Sequence, residues 1–343
     1  MTNFFSPNNI CIVTGSGGMD GSILSEKLLA KGYTVVGINR WSPTGLSENL
    51  KECIKNKNFI IETGDITDKE FMYRTITKYH PDYFYNIAAI SLVPESFKIP
   101  MTVFETNAIA VLNILELIRN YSPKTRFYQA STSEQIGRNK NVPQNTESLM
   151  DPNSPYAIAK LSAYQLVRCY RDAFGIFAVN GMLWNHEGER RGPTFVTRKI
   201  TLHISSGTKE PLQIGNLDAF RDWGYAPDFC DAMILMMETD VSDDYAVNTG
   251  ETHSIREFIE EAYSLIGKKV IWKDKGKEEK GYDDQGNLLV KVNEKYYRPV
   301  EVPYLQGDHS KITEKLGWEP KVKFKELVKI MVENDIKLFG GSL

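Results

Sequence analysis

A cluster of glycines between an apolar run and a helical pattern constrains the fold of this sequence most. The run Ile10–Thr14 has the composition of a buried β-strand, and Ser22–Lys31 has the spacing of a helix. Gly15, Gly18 and Gly21 lie between them. A glycine turn in this position lets the backbone approach a pyrophosphate, and the free N–H groups of the helix favour its charge. The turn predicts a dinucleotide site; the alternative is a glycine-rich turn that binds nothing.

Strands and helices continue to alternate up to about residue 185. Predicted strands are Thr34–Ile38, Phe59–Glu62, Tyr83–Ile87, Arg126–Gln129 and Phe177–Met182, and predicted helices are Lys69–Tyr79, Thr102–Asn120 and Tyr156–Phe174. Such alternation is typical of a parallel sheet covered on both faces. The predicted fold class is therefore α/β, with a doubly wound Rossmann domain over residues 1–185.

The pattern changes after this point. Predicted helices are Phe195–Ser206, Ser254–Ile266 (with a Ser254/Glu257 capping box), His309–Leu316 and Lys325–Lys337, and predicted strands are Leu212–Gly215 and Ala246–Asn248. Val270–Trp272 and Leu288–Val292 are predicted to pair as a hairpin through a turn at Asp283–Asn287. Residues 186–343 are predicted to form mainly a smaller α+β substrate-binding domain, with a segment at about 220–250 returning to the first domain.

Composition excludes several classes of protein. The chain has 343 residues, of which 41% are hydrophobic and 25% charged, and a net charge of −3. This balance argues against a disordered chain and against a nucleic-acid binder, which would be basic. No apolar run reaches the roughly 18 residues of a membrane span. The N-terminus resembles no export signal, and the four cysteines form no CxxC motif, so we expect reduced thiols in the cytoplasm.

The end of the second strand indicates which dinucleotide binds. An NAD site usually has a carboxylate there, whereas this chain has Arg40, which suits the 2′-phosphate of NADP. The alternatives are NAD, or an ordinary surface arginine. Asp65 and Ile66 follow the third strand, where Asp65 either accepts from the adenine amino group or caps a turn. The other residues predicted to line the cofactor site are Met19 and Asp20 in the glycine turn and the small residues Ala88 and Ala89.

Tyr156 and Lys160 are four residues apart, so they share one face of a helix. Tyrosine titrates near pH 10, and a nearby ammonium together with a cationic nicotinamide is expected to lower that pKa. Tyr156 is then a base for a sugar hydroxyl. Thr132 and Glu134 follow the preceding strand, and Glu134 is predicted to serve an elimination, as base and then as acid. The alternatives are an interface tyrosine, a solvated lysine and a carboxylate that caps a turn.

Longer segments are more specific than the glycine turn. They are STSE at Ser131–Glu134, SPYAIAKLSAY at Ser154–Tyr164, NHEGERRGPTFVTRKIT at Asn185–Thr201, GNLDAFRDWGYAPDF at Gly215–Phe229, YRPVEV at Tyr297–Val302 and LGWEP at Leu316–Pro320. In these segments the chain resembles the extended short-chain dehydrogenases/reductases and, within them, the GDP-mannose 4,6-dehydratase family. The resemblance runs from about Ile10 to about Ile336.

The resemblance implies an NADP that is reduced and reoxidised in each turnover while a GDP-sugar loses water to become a 4-keto-6-deoxy sugar. It implies that Tyr156 takes the O4 proton, Glu134 takes the C5 proton, and Thr132 is the active-site hydroxyl. Three residues match positions that contact the cofactor: Lys160, His186 and Arg191. The positions associated with the nucleotide sugar are matched by Asn185, Lys199, Arg221, Arg298 and Glu301, and Ser91 is predicted to belong with them. From the residues alone, His186 is equally a structural histidine and Arg191 part of a surface pair.

The chain departs from the usual family pattern at a few positions. Ile90 and Leu92 replace polar residues, Ile136 replaces an aromatic residue, and Asn153 replaces an arginine. These changes are expected to line or border the sugar pocket. They lead to the hypothesis that the sugar is GDP-mannose or a GDP-manno-type relative such as GDP-D-glycero-D-manno-heptose. Trp41 replaces an arginine in a loop that packs oligomers in the family, so homodimer and homotetramer both stay open. Two other functions are considered: a sugar-nucleotide 4-epimerase or 4-reductase, and a non-catalytic NADP-binding regulator.

Overall fold

The computed structural model describes residues 9–297, 302 and 304–341. Its strands are β1 Ile10–Thr14, β2 Thr34–Asn39, β3 Phe59–Thr63, β4 Tyr83–Asn86, β5 Arg126–Thr132, β6 Ala178–Leu183, β7 Asn185–Glu187, β8 Leu212–Ile214, β9 Phe220–Arg221, β10 Trp223–Tyr225, β11 Asp244–Val247, β12 His253–Ser254, β13 Ile271–Lys273, β14 Lys280–Tyr282 and β15 Leu288–Val292. Its α-helices are α1 Met19–Ala30, α2 Lys69–Tyr79, α3 Val93–Ser96, α4 Pro100–Phe104, α5 Ala110–Tyr121, α6 Pro155–Phe174, α7 Val196–Ser205, α8 Ala226–Met237, α9 Ile255–Ser264, α10 Ser310–Leu316 and α11 Phe324–Leu338.

A seven-stranded parallel sheet organises the first part of the chain. Its strand order is β11-β6-β5-β4-β1-β2-β3, so the order reverses beside β1. Alternate residues of each strand face opposite sides because the side-chain period of a strand is two. Val13 packs towards α1 and α8, and its neighbour Ile12 packs towards α2, α5 and α6. The predicted α/β fold with a doubly wound sheet is therefore confirmed.

The second part of the chain has its own core. α7, α9 and α11 pack against the mixed sheet β13-β14-β15-β8, and Phe258, Val290 and Leu327 are fully buried there. The predicted capping box of α9 is present, with Ser254 and Glu257 bonded to each other's backbone N–H groups. α8 and β11 return to the seven-stranded sheet, where β11 pairs with β6.

Two predicted elements differ from the structure, and one long helix was not predicted. Leu288–Val292 pairs with Lys280–Tyr282, which in turn pairs with Ile271–Lys273, so the predicted hairpin omitted its middle strand. The predicted helix 102–120 contains a π-helical turn at Glu105–Ile109 between α4 and α5. The sequence analysis missed α8 because its sequence, APDFCDAMILMM, is apolar on nearly every face and has no amphipathic period.

Among the described residues, the helical stretch Pro100–Tyr121 is long and apolar enough to cross a membrane by length and composition alone. In this fold it lies on the sheet, where Val103, Val111, Ile114 and Leu115 are almost completely buried. A core helix of a folded domain therefore explains its composition. All four cysteines lie within the described residues and are free thiols.

Candidate active site

A cleft of about 1160 Å³ runs along the carboxyl ends of the central strands and continues between the two parts of the chain. In a doubly wound sheet, ligands bind at this edge, where the strand order reverses. Every predicted site residue that the structure describes lines this cleft. Arg298 and Glu301 lie outside the described residues.

The glycine turn fits closely against the strands around it. Gly15 has φ +66°, and a Cβ there would lie 2.9 Å from Cα of Ala88. A Cβ on Gly21 would lie 2.3 Å from the carbonyl oxygen of Gly15. Gly18 is the N-cap of α1 and offers no side-chain acceptor, so the first N–H groups of α1 face the cleft. This is a main-chain cradle of the kind that binds a pyrophosphate.

Asn39 occupies the position at the end of β2 where an NAD site usually has an acid. Its Oδ1 accepts from the N–H of Gly17 at 2.7 Å, and its Nδ2 donates to Ser16 Oγ at 2.7 Å. Both ends of the amide are therefore engaged with the turn itself. The next residue, Arg40, is exposed and lines the cleft. This end of the cleft offers a cation and no carboxylate from β2.

Two other predicted cofactor residues follow β3. Asp65 lines the cleft, and its Oδ1 also accepts from the N–H of Thr67 at 2.9 Å and from the Thr67 hydroxyl at 2.8 Å. One carboxylate oxygen of Asp65 therefore holds the turn, in agreement with the capping alternative. Ile66 is buried beside it.

Thr132, Tyr156 and Lys160 converge where β5 ends and α6 begins. The hydroxyl of Tyr156 is hydrogen bonded to Thr132. Lys160 Nζ donates to the carbonyl of Ala130 at 2.9 Å. Burial raises the pKa of Tyr156 to about 12, although the Thr132 hydrogen bond lowers it. In the protein itself, burial of the phenol therefore outweighs its favourable contacts. The expected lowering of the Tyr156 pKa also requires a cationic nicotinamide, so it stays a prediction.

Lys160 is buried, and this burial lowers its pKa to about 8. Glu134 lies on a short 3₁₀ turn, Ser133–Gln135, that directly follows β5. Its backbone N–H donates to the Thr132 hydroxyl at 3.2 Å, and its side chain is 8% exposed at the cleft. The site therefore places a hydroxyl, a phenol, an amine and a carboxylate around one region of the cleft.

His186 and Asp20 bind each other across the cleft wall, with His186 Nε2 2.9 Å from Asp20 Oδ2. Burial opposes charge on both groups, but their pairing prevails: it raises the pKa of His186 and lowers that of Asp20. Arg191 pairs with Glu187 at 2.8 Å and lies over the ring of Phe195. The predicted cofactor residues Asp20, His186 and Arg191 are therefore held by partners within the protein.

The predicted sugar-nucleotide residues come from several separate elements of the chain. Asn185 begins β7 and pairs with Trp223 of β10. Lys199 Nζ lies 3.4 Å from the ring centroid of Tyr296, and burial lowers the pKa of Lys199. Arg221 is buried and donates to the carbonyl of Val302 at 2.7 Å. Ser91 is exposed on the opposite wall.

The departures from the family pattern separate into two groups. Ile90 and Leu92 line the cleft, as expected of residues that border a sugar. Ile136 is fully buried in a cluster with Trp184 and Leu305, and neither it nor Asn153 lines the cleft. The expectation that Ile136 and Asn153 border the sugar is therefore wrong, because both are directed into the protein.

Two functional residues were not predicted from the sequence: Asn107, which supports the wall of the cleft, and Tyr296, which lines it. Asn107 lies on the π-helical turn, where its Oδ1 accepts from the N–H of Ile90 and its Nδ2 donates to the carbonyl of Ile90, both at 3.0 Å. Its only sequence signal was an amide within an apolar helix. Tyr296 lines the cleft beside Lys199, and no spacing pattern marked it.

The comparisons with known proteins agree with one another. A profile of the family described as GDP-mannose 4,6 dehydratase matches residues 12–331. The GDP-mannose 4,6 dehydratase of Cricetulus griseus is 42% identical over 344 residues, which span 97% of this chain and 92% of that protein. The GDP-mannose 4,6-dehydratase of Vibrio cholerae is 39% identical over 348 residues, which span 95% and 94%. The solved UDP-glucose 4-epimerase of Thermotoga maritima, with UDP-glucose, has a TM-score of 0.80 and 28% identity over 96% of this chain and 99% of that one.

Proposed function

Because the chain belongs to the GDP-mannose 4,6-dehydratase family, we propose that it is a lyase that dehydrates a GDP-mannose-type sugar to the 4-keto-6-deoxy sugar nucleotide. One observation carries the proposal. Thr132, Glu134, Tyr156 and Lys160 line a single cleft together with the glycine turn. A simple 4-epimerase needs the phenol and the amine but has no step for Glu134, whereas an elimination beside a new ketone needs that carboxylate.

Tyr156 and Glu134 divide the proton transfers. Tyr156 accepts the O4 proton of the sugar, with Thr132 holding the phenol through their hydrogen bond. When bound, the dinucleotide supplies hydride chemistry, accepting hydride from C4 and returning it to C6. Glu134 takes the proton from C5, which the C4 ketone makes acidic, and gives it to the departing C6 hydroxyl as water. The proton held on Tyr156 goes to C5, so one water leaves in total.

The residues of the cleft suit the proposed cofactor, a nicotinamide dinucleotide. The glycine cradle and the start of α1 would hold its pyrophosphate, since any Cβ at Gly15 or Gly21 would fill that space. Solved structures with NAD include the UDP-glucose 4-epimerase of Thermus thermophilus, at 26% identity. We propose NADP for this chain because Asn39 is engaged with the turn and Arg40 supplies a cation for a 2′-phosphate.

The sugar itself is proposed from the wall that Ile90 and Leu92 form. Two apolar side chains there suit a sugar whose C6 carries additional carbon, so GDP-D-glycero-D-manno-heptose is the proposed substrate beside GDP-mannose. In the proposed division of labour, the domain over residues 1–185 holds the dinucleotide. Residues 186–343 mainly hold the nucleotide sugar.

Mass spectrometry of products tests the reaction. Purified protein is incubated separately with GDP-mannose and with GDP-manno-heptose, without added reductant. Loss of one water from either substrate is the expected result and identifies the sugar. Conversion of GDP-mannose at normal efficiency with no conversion of the heptose would overturn the heptose assignment. An isomer of unchanged mass would instead indicate a 4-epimerase.

Substitution of the carboxylate tests the mechanism. Glu134→Gln is expected to abolish water loss while NADPH binding persists, because the amide cannot carry a proton between C5 and the leaving hydroxyl. Full activity in Glu134→Gln would contradict the role of Glu134. A protein that binds NADPH but has no activity in any variant would fit the regulator alternative.

We also propose that the chain is a cytosolic homo-oligomer. Met101 is 71% exposed, and Phe104, Ile109 and Ile158 add further exposed apolar surface on α4, the π-helical turn and α6. A second copy of the chain would cover this face as a homodimer or, with further contacts, a homotetramer. Light scattering after size-exclusion chromatography measures the mass, and a monomer at micromolar concentration would refute the assignment.

A further inference from the structure

The position of Asp20 raises an electrostatic problem. It is the second residue of α1, and its carboxylate lines the cleft beside the glycine turn. A carboxylate at a helix N-terminus stabilises the helix dipole, but it repels any other anion bound at the same place. Two like charges about 8 Å apart at an effective dielectric constant of about 20 change a binding constant by about thirtyfold. A pyrophosphate site is therefore an unfavourable place for an uncompensated carboxylate.

His186 reaches Asp20 from the second part of the chain. Its Nε2 lies 2.9 Å from Asp20 Oδ2, and its Nδ1 lies 2.8 Å from the carbonyl oxygen of Trp184. Its ring stacks on Phe229, with centroids 4.6 Å apart and planes 24° apart. The ring is buried and can take no other orientation without losing both hydrogen bonds.

The two partners of His186 define its protonation. A carbonyl and a carboxylate oxygen only accept hydrogen bonds, so both ring nitrogens must donate. Only the imidazolium carries a proton on both nitrogens. With Asp20 ionised, this geometry therefore assigns a positive charge to His186, and this charge faces the negative charge of Asp20.

The same arrangement recurs along this wall. Arg190, four residues after His186, binds both carboxylate oxygens of Glu26 on α1 at 2.8 and 2.9 Å. Arg191 pairs with Glu187 at 2.8 Å. The carboxylates of Asp20, Glu26 and Glu187 are therefore each matched by a cation from the segment His186–Arg191.

We propose that His186 is a positioning residue whose charge cancels that of Asp20, so that the dinucleotide diphosphate binds at the start of α1 without repulsion. Asp20 then holds His186, and with it the segment His186–Arg191, against α1. This inference rests on the proposed function, because it requires a dinucleotide in the cleft. It differs from the direct cofactor contact predicted for both residues from the sequence.

Equilibrium binding of NADPH to the purified full-length chain, followed by fluorescence, tests the inference. His186→Gln keeps a hydrogen-bond donor but removes the charge, and we expect it to weaken NADPH binding about tenfold or more. The double variant Asp20→Asn/His186→Gln removes both charges, and binding is expected to return to within about threefold of wild type. A purely structural role for His186 predicts no such rescue, so failure of the double variant to recover would overturn the inference.

His253→Gln is the matched control. His253 also pairs with a carboxylate, Glu257 at 3.1 Å, and stacks on an aromatic ring, Phe324 at 3.8 Å, but it does not line the cleft. Its substitution is expected to leave NADPH binding unchanged. If wild type fails to bind NADPH, the proposed function is wrong and the inference fails with it. If wild type binds and His186→Gln binds equally well, only the inference is overturned.

The dependence on pH gives a second readout. Asp20 of α1 and Arg191 are the charged groups that act on His186, while Cys230 of α8 and Tyr128 of β5 face Asp20. Because Asp20 raises the pKa of His186, wild type is expected to bind NADPH steadily below that pKa and to weaken as the pH rises through it. Asp20→Asn has no negative charge at this position, so its NADPH affinity is expected not to fall as the pH rises. Weaker binding by Asp20→Asn at every pH would overturn the inference.

Discussion

The two halves of the cleft differ in the groups that line them, which are mainly backbone in one half and side chains in the other. The half proposed to bind the dinucleotide (the dinucleotide half) is mainly backbone: the glycine turn, the start of α1 and the ends of long parallel strands. The half proposed to bind the nucleotide sugar (the sugar half) consists of side chains such as Lys199, which lies on α7, and Arg221, which lies on the two-residue strand β9. A backbone site depends on shape, so few substitutions fit it. A side-chain site depends on particular charges, so it changes its ligand more easily.

The largest effect is expected where the two halves meet. Tyr156→Phe removes only the hydroxyl proposed to accept the O4 proton, so kcat should fall by about 10²–10⁴ while NADPH binding persists. Steady-state kinetics and fluorescence titration measure the two quantities. Tyr170→Phe is the matched control on the same helix, because its hydroxyl bonds to Glu116 at 2.6 Å, away from the cleft. Near-normal turnover by Tyr156→Phe would show that the Tyr156 hydroxyl is not the proton acceptor.

Gly15→Ala tests the backbone half. The added Cβ would lie 2.9 Å from Cα of Ala88 at a φ of +66°, and we expect NADPH affinity to fall by about 100-fold or more, since a shift of about 1 Å has effects of that order. Gly175→Ala is the control because Gly175 has φ +65° with no atom within 4 Å of the new Cβ. It should lower stability by about 1–2 kcal/mol and retain binding. Equal losses of NADPH binding in both variants would show that the strain of a positive φ, and not the contact with Ala88, causes the effect.

Lys199→Met tests the side-chain half. The change keeps the length of the side chain but removes a half-buried charge placed to meet a phosphate, so KM for the GDP-sugar should rise about 10- to 100-fold. NADPH binding should not change, because Lys199 lies in the other half. Lys209→Met, at an exposed position after α7, should alter neither quantity. A loss of NADPH binding in Lys199→Met would show that the halves are not independent.

The pH dependence of turnover should reflect Lys160. Burial lowers its pKa to about 8, so the amine is charged below that pH and loses its charge above it. Because the charged form supports the phenolate, kcat should be steady from pH 6.5 to 7.5 and about tenfold lower at pH 9. A rate profile that rises through pH 9 would contradict a role for the Lys160 charge.

The smallest effect is expected far from both ligands. Ser254→Ala breaks the capping box of α9 and should lower the free energy of unfolding by about 1 kcal/mol, as measured with urea. Ser264→Ala, in the last turn of the same helix, should cost less. Neither change should alter NADPH affinity, and a change in that affinity would show that α9 is coupled to the dinucleotide half.

The sequence predicted the regular elements well because their signals are local. β1 and α2 have the bounds that their patterns predicted, and the capping box of α9 is formed by the two predicted residues. The glycine turn was recognisable because its geometry admits hardly any other residue. The sequence also predicted that four residues lie together, because the ends of their helix and strand meet at one edge of the sheet. They are Thr132, Glu134, Tyr156 and Lys160.

The errors share a cause, which is tertiary context. α8 has no periodicity because both of its sides are buried. β14 is three residues long and lies among polar residues, so only its partners identify it. The direction of Ile136 depends on burial, which a sequence does not contain. The contact of Asn107 with Ile90 depends on the π-helical turn at Glu105–Ile109, which the sequence pattern did not predict.

The π-helical turn at Glu105–Ile109 constrains the length of the chain at this point. A π-turn holds one residue more than the α-helix around it, and each residue of an α-helix rotates the chain by about 100°. Deleting one residue within the turn would restore a regular helix and leave its flanking segments in place, but a residue inside the turn that shifts by one position would move round the helix axis by about 100°. Asn107 would then move away from Ile90, whose N–H and carbonyl it holds. The number of residues in this helix is therefore fixed by the wall of the cleft.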